Sequence, residues 1–245
     1  MFKKISTIIL IIAVVAFGSF INPKLVLAAW FSVDDFESYT DTNNLATLNG
    51  GTDWAAAWAL QAGTGAKVRA AGCNADYAGT KCYNYNESTA SGGNYRDITA
   101  ITTGVVSFGW KCLNNGIAGK CNVDIAHSTA GEGWTIRTND GGDLQLRGST
   151  DITILSSAGT GWYTIEVNFD TDANTATARA KPEGGVFGAY SSAASEANAI
   201  ASVDRFQSRY AGVVSTEQWV DNILAGEAVG GAAAAVEPID FWIDF

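Results

Sequence analysis

The segment WYTIEVNF, residues 162–169, alternates cleanly. Tyr163, Ile165, Val167 and Phe169 fall on one side, and Trp162, Thr164, Glu166 and Asn168 on the other. That two-residue period is the mark of a strand with one buried face. NTATARAK follows after the turn-rich DTDAN, so residues 161–181 predict a β-hairpin. The same pattern predicts strands over 105–113, 122–128, 133–139, 143–148, 202–210 and 217–225. The ND-GG-D turn at 139–143 joins two of these as a second hairpin. No long helical period appears. Trp54 and Trp58, four apart in WAAAW, fit one face of a single helical turn capping the core. Short strands separated by turns predict an all-β, two-sheet antiparallel sandwich or a barrel.

Composition supports strands: 27 aromatic residues, 27 glycines and only three prolines suit pleated surfaces and tight turns. At both ends the pattern breaks. Lys3 and Lys4 precede an apolar run from Ile5 to Ile21, and Val26-Leu27-Ala28 offers the small residues of a cleavage site. Residues 1–28 are therefore expected to be a signal peptide, with an uncleaved membrane anchor as the alternative. Cleavage would remove three of 15 basic residues and no acid, taking the net charge from −10 to −13. Such a charge disfavours nucleic acid and anionic membrane surfaces as partners. Residues 227–245 read as a Gly/Ala-rich linker and an apolar-acidic tail, IDFWIDF. That tail predicts a strand, which either folds back on its own domain or adds to a partner's sheet edge.

Cys73, Cys82, Cys112 and Cys121 form two pairs with one shared spacing. In an exported chain, disulfides 73–82 and 112–121 are the simplest of three pairings. Zinc is the weaker reading, because its knuckles use tighter cysteine pairs and the chain has one histidine, His127.

The opening VDDFESYTDTNNLATLNGGTDWAAAW, the hairpin GWYTIEVNFDTDANTATARA and the closing SVDRFQSRY and EQWVDNI give the chain a family likeness over residues 30–226. It resembles secreted bacterial concanavalin A-like lectin/glucanase (LamG-like) domains. The resemblance implies a jelly roll of two curved sheets, often with carbohydrate on the concave face. It also implies a structural calcium where the first and last strands meet, which makes Asp35, Glu37 and Asp221 the expected ligands. In an ideal strand Asp35 and Glu37 point one way and Phe36 enters the core. The alternative is that both acids are simply solvated.

Glucanases of this fold carry paired acids as E-x-D-x-E on one strand, and retaining hydrolysis needs two carboxylates about 5–5.5 Å apart. No Glu-x-Asp occurs here; Asp35-x-Glu37 and Glu166 with Asp170 are the nearest approaches. There is no G-x-S-x-G elbow, no phosphate-binding loop, and only the solitary His127 as an imidazole base. The sequence therefore predicts a non-enzymatic chain, secreted or surface-associated, that binds a glycan or polysaccharide. An adhesive protein using the sandwich for protein contacts is the alternative, and a glycoside hydrolase is disfavoured. Aromatic faces and amides bind sugars, so DYAGTKCYNYNES nominates Tyr77, Tyr83, Asn84, Tyr85 and Asn86 beside the first cysteine pair. Equally, those tyrosines could shield the disulfide. Trp134 and Trp162 are expected in the core.

Overall fold

The computed structural model describes residues 29–63, 65–85, 92–113, 121–129, 133–210 and 217–227. The expected signal segment, Asn86 and the IDFWIDF tail lie outside them. Among the described residues there are fifteen strands and no helix.

Two antiparallel sheets form a jelly-roll sandwich. The first holds β1 (Ala29–Asp34), β3 (Lys67–Arg69), β4 (Cys82–Tyr85), β6 (Thr103–Leu113), β11 (Tyr163–Asp170), β12 (Thr175–Pro182), β13 (Ala194–Ser195) and β15 (Glu217–Glu227). Its order is β13-β12-β11-β6-β15-β4-β3, and β1 also pairs with β15. One edge of β15 is thus shared end to end: residues 218–220 face β4 and residues 223–227 face β1. The register against β6 slips between Asp221 and Leu224, where Asn222 takes φ +41°. The second sheet is seven-stranded, in the order β10-β9-β8-β7-β14-β5-β2. Its strands are β2 (Ala59–Gly63), β5 (Gly92–Ile101), β7 (Cys121–Ala126), β8 (Gly133–Thr138), β9 (Leu144–Arg147), β10 (Asp151–Leu155) and β14 (Val203–Tyr210).

Every strand expected from alternation between residues 105 and 225 is present, and the predicted hairpin pairs Tyr163 with Pro182 through to Asp170 with Thr175. Ile165, Val167 and Phe169 are fully buried as the period requires. The core is aromatic. Phe36 meets Tyr83 edge-on at 5.2 Å, Tyr83 meets Trp58 at 5.5 Å, and Phe206 contacts both Trp58 and Phe108. Trp134 stacks on Phe169 at 6.2 Å, in the core as expected. WAAAW forms no helical turn: Trp54 bridges Ile98 and the backbone of Trp58 bonds that of Leu48.

The opening acids depart from an ideal strand. β1 stops at Asp34, and Phe36 adopts φ +62°, a left-handed conformation that costs a non-glycine residue about 1–3 kcal/mol. The cause is Asp34, whose Oδ1 accepts the Phe36 N–H at 3.1 Å and turns the chain. Its other oxygen accepts hydrogen bonds from Trp58 Nε1 at 2.8 Å and the Tyr39 hydroxyl at 2.9 Å, and pairs with Arg96 of β5. Both charged partners are buried. Burial pushes the Asp34 carboxyl up, while Trp58, Arg96, Tyr39 and the Phe36 amide pull it down. Because a guanidinium keeps its proton in a protein, its counter-charge is retained. Arg96 saturates its remaining donors on Ala56 O, Asn49 Oδ1 and Gly50 O, and its plane lies over Trp54 at 4.7 Å. Gly51 makes this loop fit: at φ +76°, an added Cβ would lie 2.3 Å from the Val33 carbonyl oxygen.

Replacing Arg96 with Met should cost about 3–5 kcal/mol, because it strands a buried carboxylate. Urea unfolding measures this, and a loss below about 1 kcal/mol would show that the pair is not what joins the sheets.

Candidate functional site

The Cys73–Cys82 and Cys112–Cys121 disulfides both form, with Cα separations of 5.5 and 6.1 Å. The first pins the segment 72–81 onto the outer face of the eight-stranded sheet. Trp162 Nε1 donates to Gly72 O, Asn74 N to Asp221 Oδ2, Ala75 N to Glu183 Oε1 and Gly184 N to Asp76 Oδ1. Glu37 closes the far end, accepting hydrogen bonds from the Thr80 and Lys81 amides at 2.5 and 2.6 Å.

This packing redistributes the residues nominated for sugar binding. Tyr83 and Tyr85 point inward, with 0% and 1% exposure, and present no ring face to a ligand. Their hydroxyls cross the core to the other sheet. Tyr83 donates to Ser208 Oγ at 2.7 Å, and Tyr85 bonds Asn94 Oδ1 and Ser208 O, both at 3.1 Å. Burial pushes the Tyr83 hydroxyl well above its usual range. Asn84 faces outward but is buried under its neighbours, its Oδ1 accepting from Arg69 Nε at 2.8 Å. Tyr77 is half-buried and covers β6. A Cβ on Gly109 would lie 2.8 Å from its ring, so only glycine admits the tyrosine there. Alternation on β4 exposed the parity of CYNY but not which side was the core, and the tyrosines took the inner one.

The predicted metal ligands sit at one end of this segment without closing a shell. Asp35 Oδ1 accepts the Glu37 N–H and is exposed, whereas Glu37 is committed to residues 80–81. Neither lies on a strand, because β1 ends one residue earlier. Among the described residues, the one trio of acidic, thiol or imidazole donors lying within 4.8 Å of one another is Cys73, Cys82 and Asp221. Its two sulfurs are spent in the disulfide. Asp221 itself is 3% exposed, and its carboxyl is pushed up to about 7. Burial is the main cause, opposed by the Asn74 and Asn222 amides and reinforced by the charges of Glu37 and Asp35.

The opposite outer face, on the seven-stranded sheet, presents ordered rows of polar residues. One row crosses all seven strands: Asp151, Arg147, Thr135, Asp124, Gln207, Tyr95 and Ala59. Two residues along, Thr153, Gln145, Arg137, Asn122 and Arg209 form a second row. Cross-strand neighbours like these point to one side of the sheet. Asp124 organises the centre, accepting hydrogen bonds from Thr135 Oγ1 at 2.7 Å, Gln207 Nε2 at 3.1 Å and both Nε and Nη2 of Arg209. Arg205 pairs with Asp97 at 2.7 Å and lies 3.8 Å over the Tyr95 ring. Arg137 Nε and Gln145 Oε1, on paired residues, are buried without a partner. Sequence reasoning missed this face. The RFQSRY alternation that marks Arg205, Gln207 and Arg209 as its outer residues was the available signal.

The two best-placed acids are each neutralised separately. Glu166, on the outer face of the other sheet, is held bidentately by Arg179 at 3.1 and 3.2 Å and by the Tyr190 hydroxyl. Outward positions of β7 offer Asn122, Asp124 and Ala126, with no second carboxylate on that strand.

No protein-family model matches the sequence, and no curated protein does. Likeness appears in the fold. A sialidase aligns at a TM-score of 0.56 and 11% identity over 83% of this chain and 19% of its own, so the chain spans 19% of that enzyme's length. The globular domain of T. cruzi calreticulin gives 0.48 at 11% identity, covering 82% and 89% of the two chains. The exoplasmic/lumenal domain of VIP36, in a form bound to Ca2+ and Man3GlcNAc, gives 0.47 at 8%, covering 75% and 89%. The fold is the concanavalin A-like jelly roll.

Asp221 makes stability depend on pH. Between about pH 4 and 7 the folded chain holds a proton that the unfolded chain has lost, so stability falls as pH rises through that window. In chelator, urea titrations should show a decline on the order of a few kcal/mol. Asp221→Asn should flatten it. An equal slope in the variant would assign the effect elsewhere.

Proposed function

We propose that this chain is an extracellular or cell-surface, non-catalytic carbohydrate-binding domain whose ligand lies across the outer face of the seven-stranded sheet. The observation that carries this reading is the unbroken row from Asp151 to Tyr95, with hydrogen-bonding side chains on six adjacent strands. Strands are spaced about 4.8 Å apart, so the row extends roughly 24 Å, long enough for several sugar units. Rigid strands hold these groups, and the network around Asp124 orders them before a ligand arrives, which lowers the entropic cost of binding. The jelly-roll fold and the two disulfides support the same reading, the disulfides by fitting an oxidising compartment.

The separate neutralisation of Glu166 by Arg179 and of Asp124 by Arg209 argues against hydrolysis, since neither is part of an acid pair. A calcium ion, where bound, would draw on Asp221, Glu37 and Asp35, which this structure does not bring within 4.8 Å of one another. Its role is structural, tying β15 to the turn after β1.

A glycan array with and without chelator tests both parts. Retention of a polysaccharide should weaken about tenfold in Tyr95→Ala and remain in Tyr83→Phe. Failure to bind any glycan, with self-association indifferent to sugars, would favour the adhesive alternative. Calcium at millimolar concentration should raise the melting temperature at pH 7 in the parent chain and not in Asp221→Asn. An equal rise in both would remove calcium from this end.

A further inference from the structure

We infer that the outer face of the seven-stranded sheet takes a polysaccharide bearing carboxylate or sulfate groups. This rests on the carbohydrate reading above and narrows it to a chemical class. The chain has seven arginines, and four of them, Arg137, Arg147, Arg205 and Arg209, lie on this face. Three acids share it: Asp97, Asp124 and Asp151. Arginines on this face thus number four against three acids, with Asp143 just before β9 a fourth, in a chain with 15 basic and 25 acidic residues.

The guanidiniums differ in availability. Arg205 is fixed between Asp97 and the Tyr95 ring, and Arg137 pairs with Asp151 at 2.5 Å. Arg209 grips Asp124 yet keeps 44% of its side chain exposed. Arg147 is exposed and, among the described residues, its side chain has no hydrogen bond or ion pair, although it stands in the central row between Asp151 and Thr135. A planar fork of free N–H groups matches the oxygens of a carboxylate or sulfate in a way that a lysine does not.

The neighbouring row supplies an independent pointer. Gln145 is 8% exposed, and its Oε1 has no donor; Arg137 Nε, on the paired residue, has no acceptor. A sugar hydroxyl both donates and accepts, so one hydroxyl between them satisfies the two groups at once. Polar pair and free guanidinium lie two residues apart on β9, about 7 Å, close to the size of one sugar ring carrying one acidic group. The chain's overall negative charge opposes a polyanion at long range. Within the Debye length of about 8 Å, the local guanidiniums set the sign.

Isothermal titration at low and high salt, with oligogalacturonate, chondroitin sulfate and laminarin as carboxylate, sulfate and neutral probes, tests this. At least one acidic probe should bind more tightly than laminarin and weaken as salt rises. Arg147→Glu should weaken that acidic probe about tenfold or more and laminarin by much less, with the melting temperature unmoved. The carboxylate and sulfate arms identify which group is recognised. Laminarin bound as well as the tighter acidic probe, or that probe indifferent to Arg147→Glu, overturns the assignment while leaving carbohydrate binding in place. Absence of binding to all three overturns both.

Discussion

The buried pair of Asp34 and Arg96 is the constraint on which the sandwich depends. Asp34 ends the first strand of one sheet, and Arg96 sits inside the other, so the ion pair spans the core. Neither charge is tolerable alone in that environment, and each draws further partners to itself. Asp34 recruits Trp58, Tyr39 and the Phe36 amide; Arg96 recruits the carbonyls of Ala56 and Gly50 and the faces of two tryptophans. The left-handed turn at Phe36 follows from the same arrangement. Strain at one residue is offset by an aromatic ring driven between Tyr39, Trp58 and Tyr83.

That core decides what each outer face can do. Because Tyr83 and Tyr85 point inward to rivet the sheets together, they are withdrawn from any surface role. The disulfide-pinned segment 72–81 then lies over the eight-stranded sheet, with Tyr77 seated on Gly109. The seven-stranded sheet is left to present the ordered polar rows. Fold and candidate site are thus one packing problem, in which the inward tyrosines and the pinned segment commit one sheet and the polar rows lie on the other.

Alternating segments were legible in the sequence because one face is apolar and the other polar, as in WYTIEVNF. β5 was not, for the opposite reason: Asn94 and Arg96 occupy its inward positions, so polar residues fill the core side. Parity placed Asp34 on the inner side with Phe36, but nothing local supplies the partner that lets a carboxylate be buried there. Its partner lies 62 residues away. The disulfides followed from spacing and compartment. The proposed binding surface did not, because a row across seven strands joins residues from Ala59 to Gln207 that only the sheet order brings together.

Amide hydrogen exchange of the intact chain, with and without the best-binding oligosaccharide, tests the central claim most directly. Binding across the seven-stranded sheet predicts added protection in β7, β8, β9 and β14, centred on Asp124, with residues 72–81 unchanged. Protection confined to residues 72–81 and the neighbouring strands of the other sheet would contradict the account.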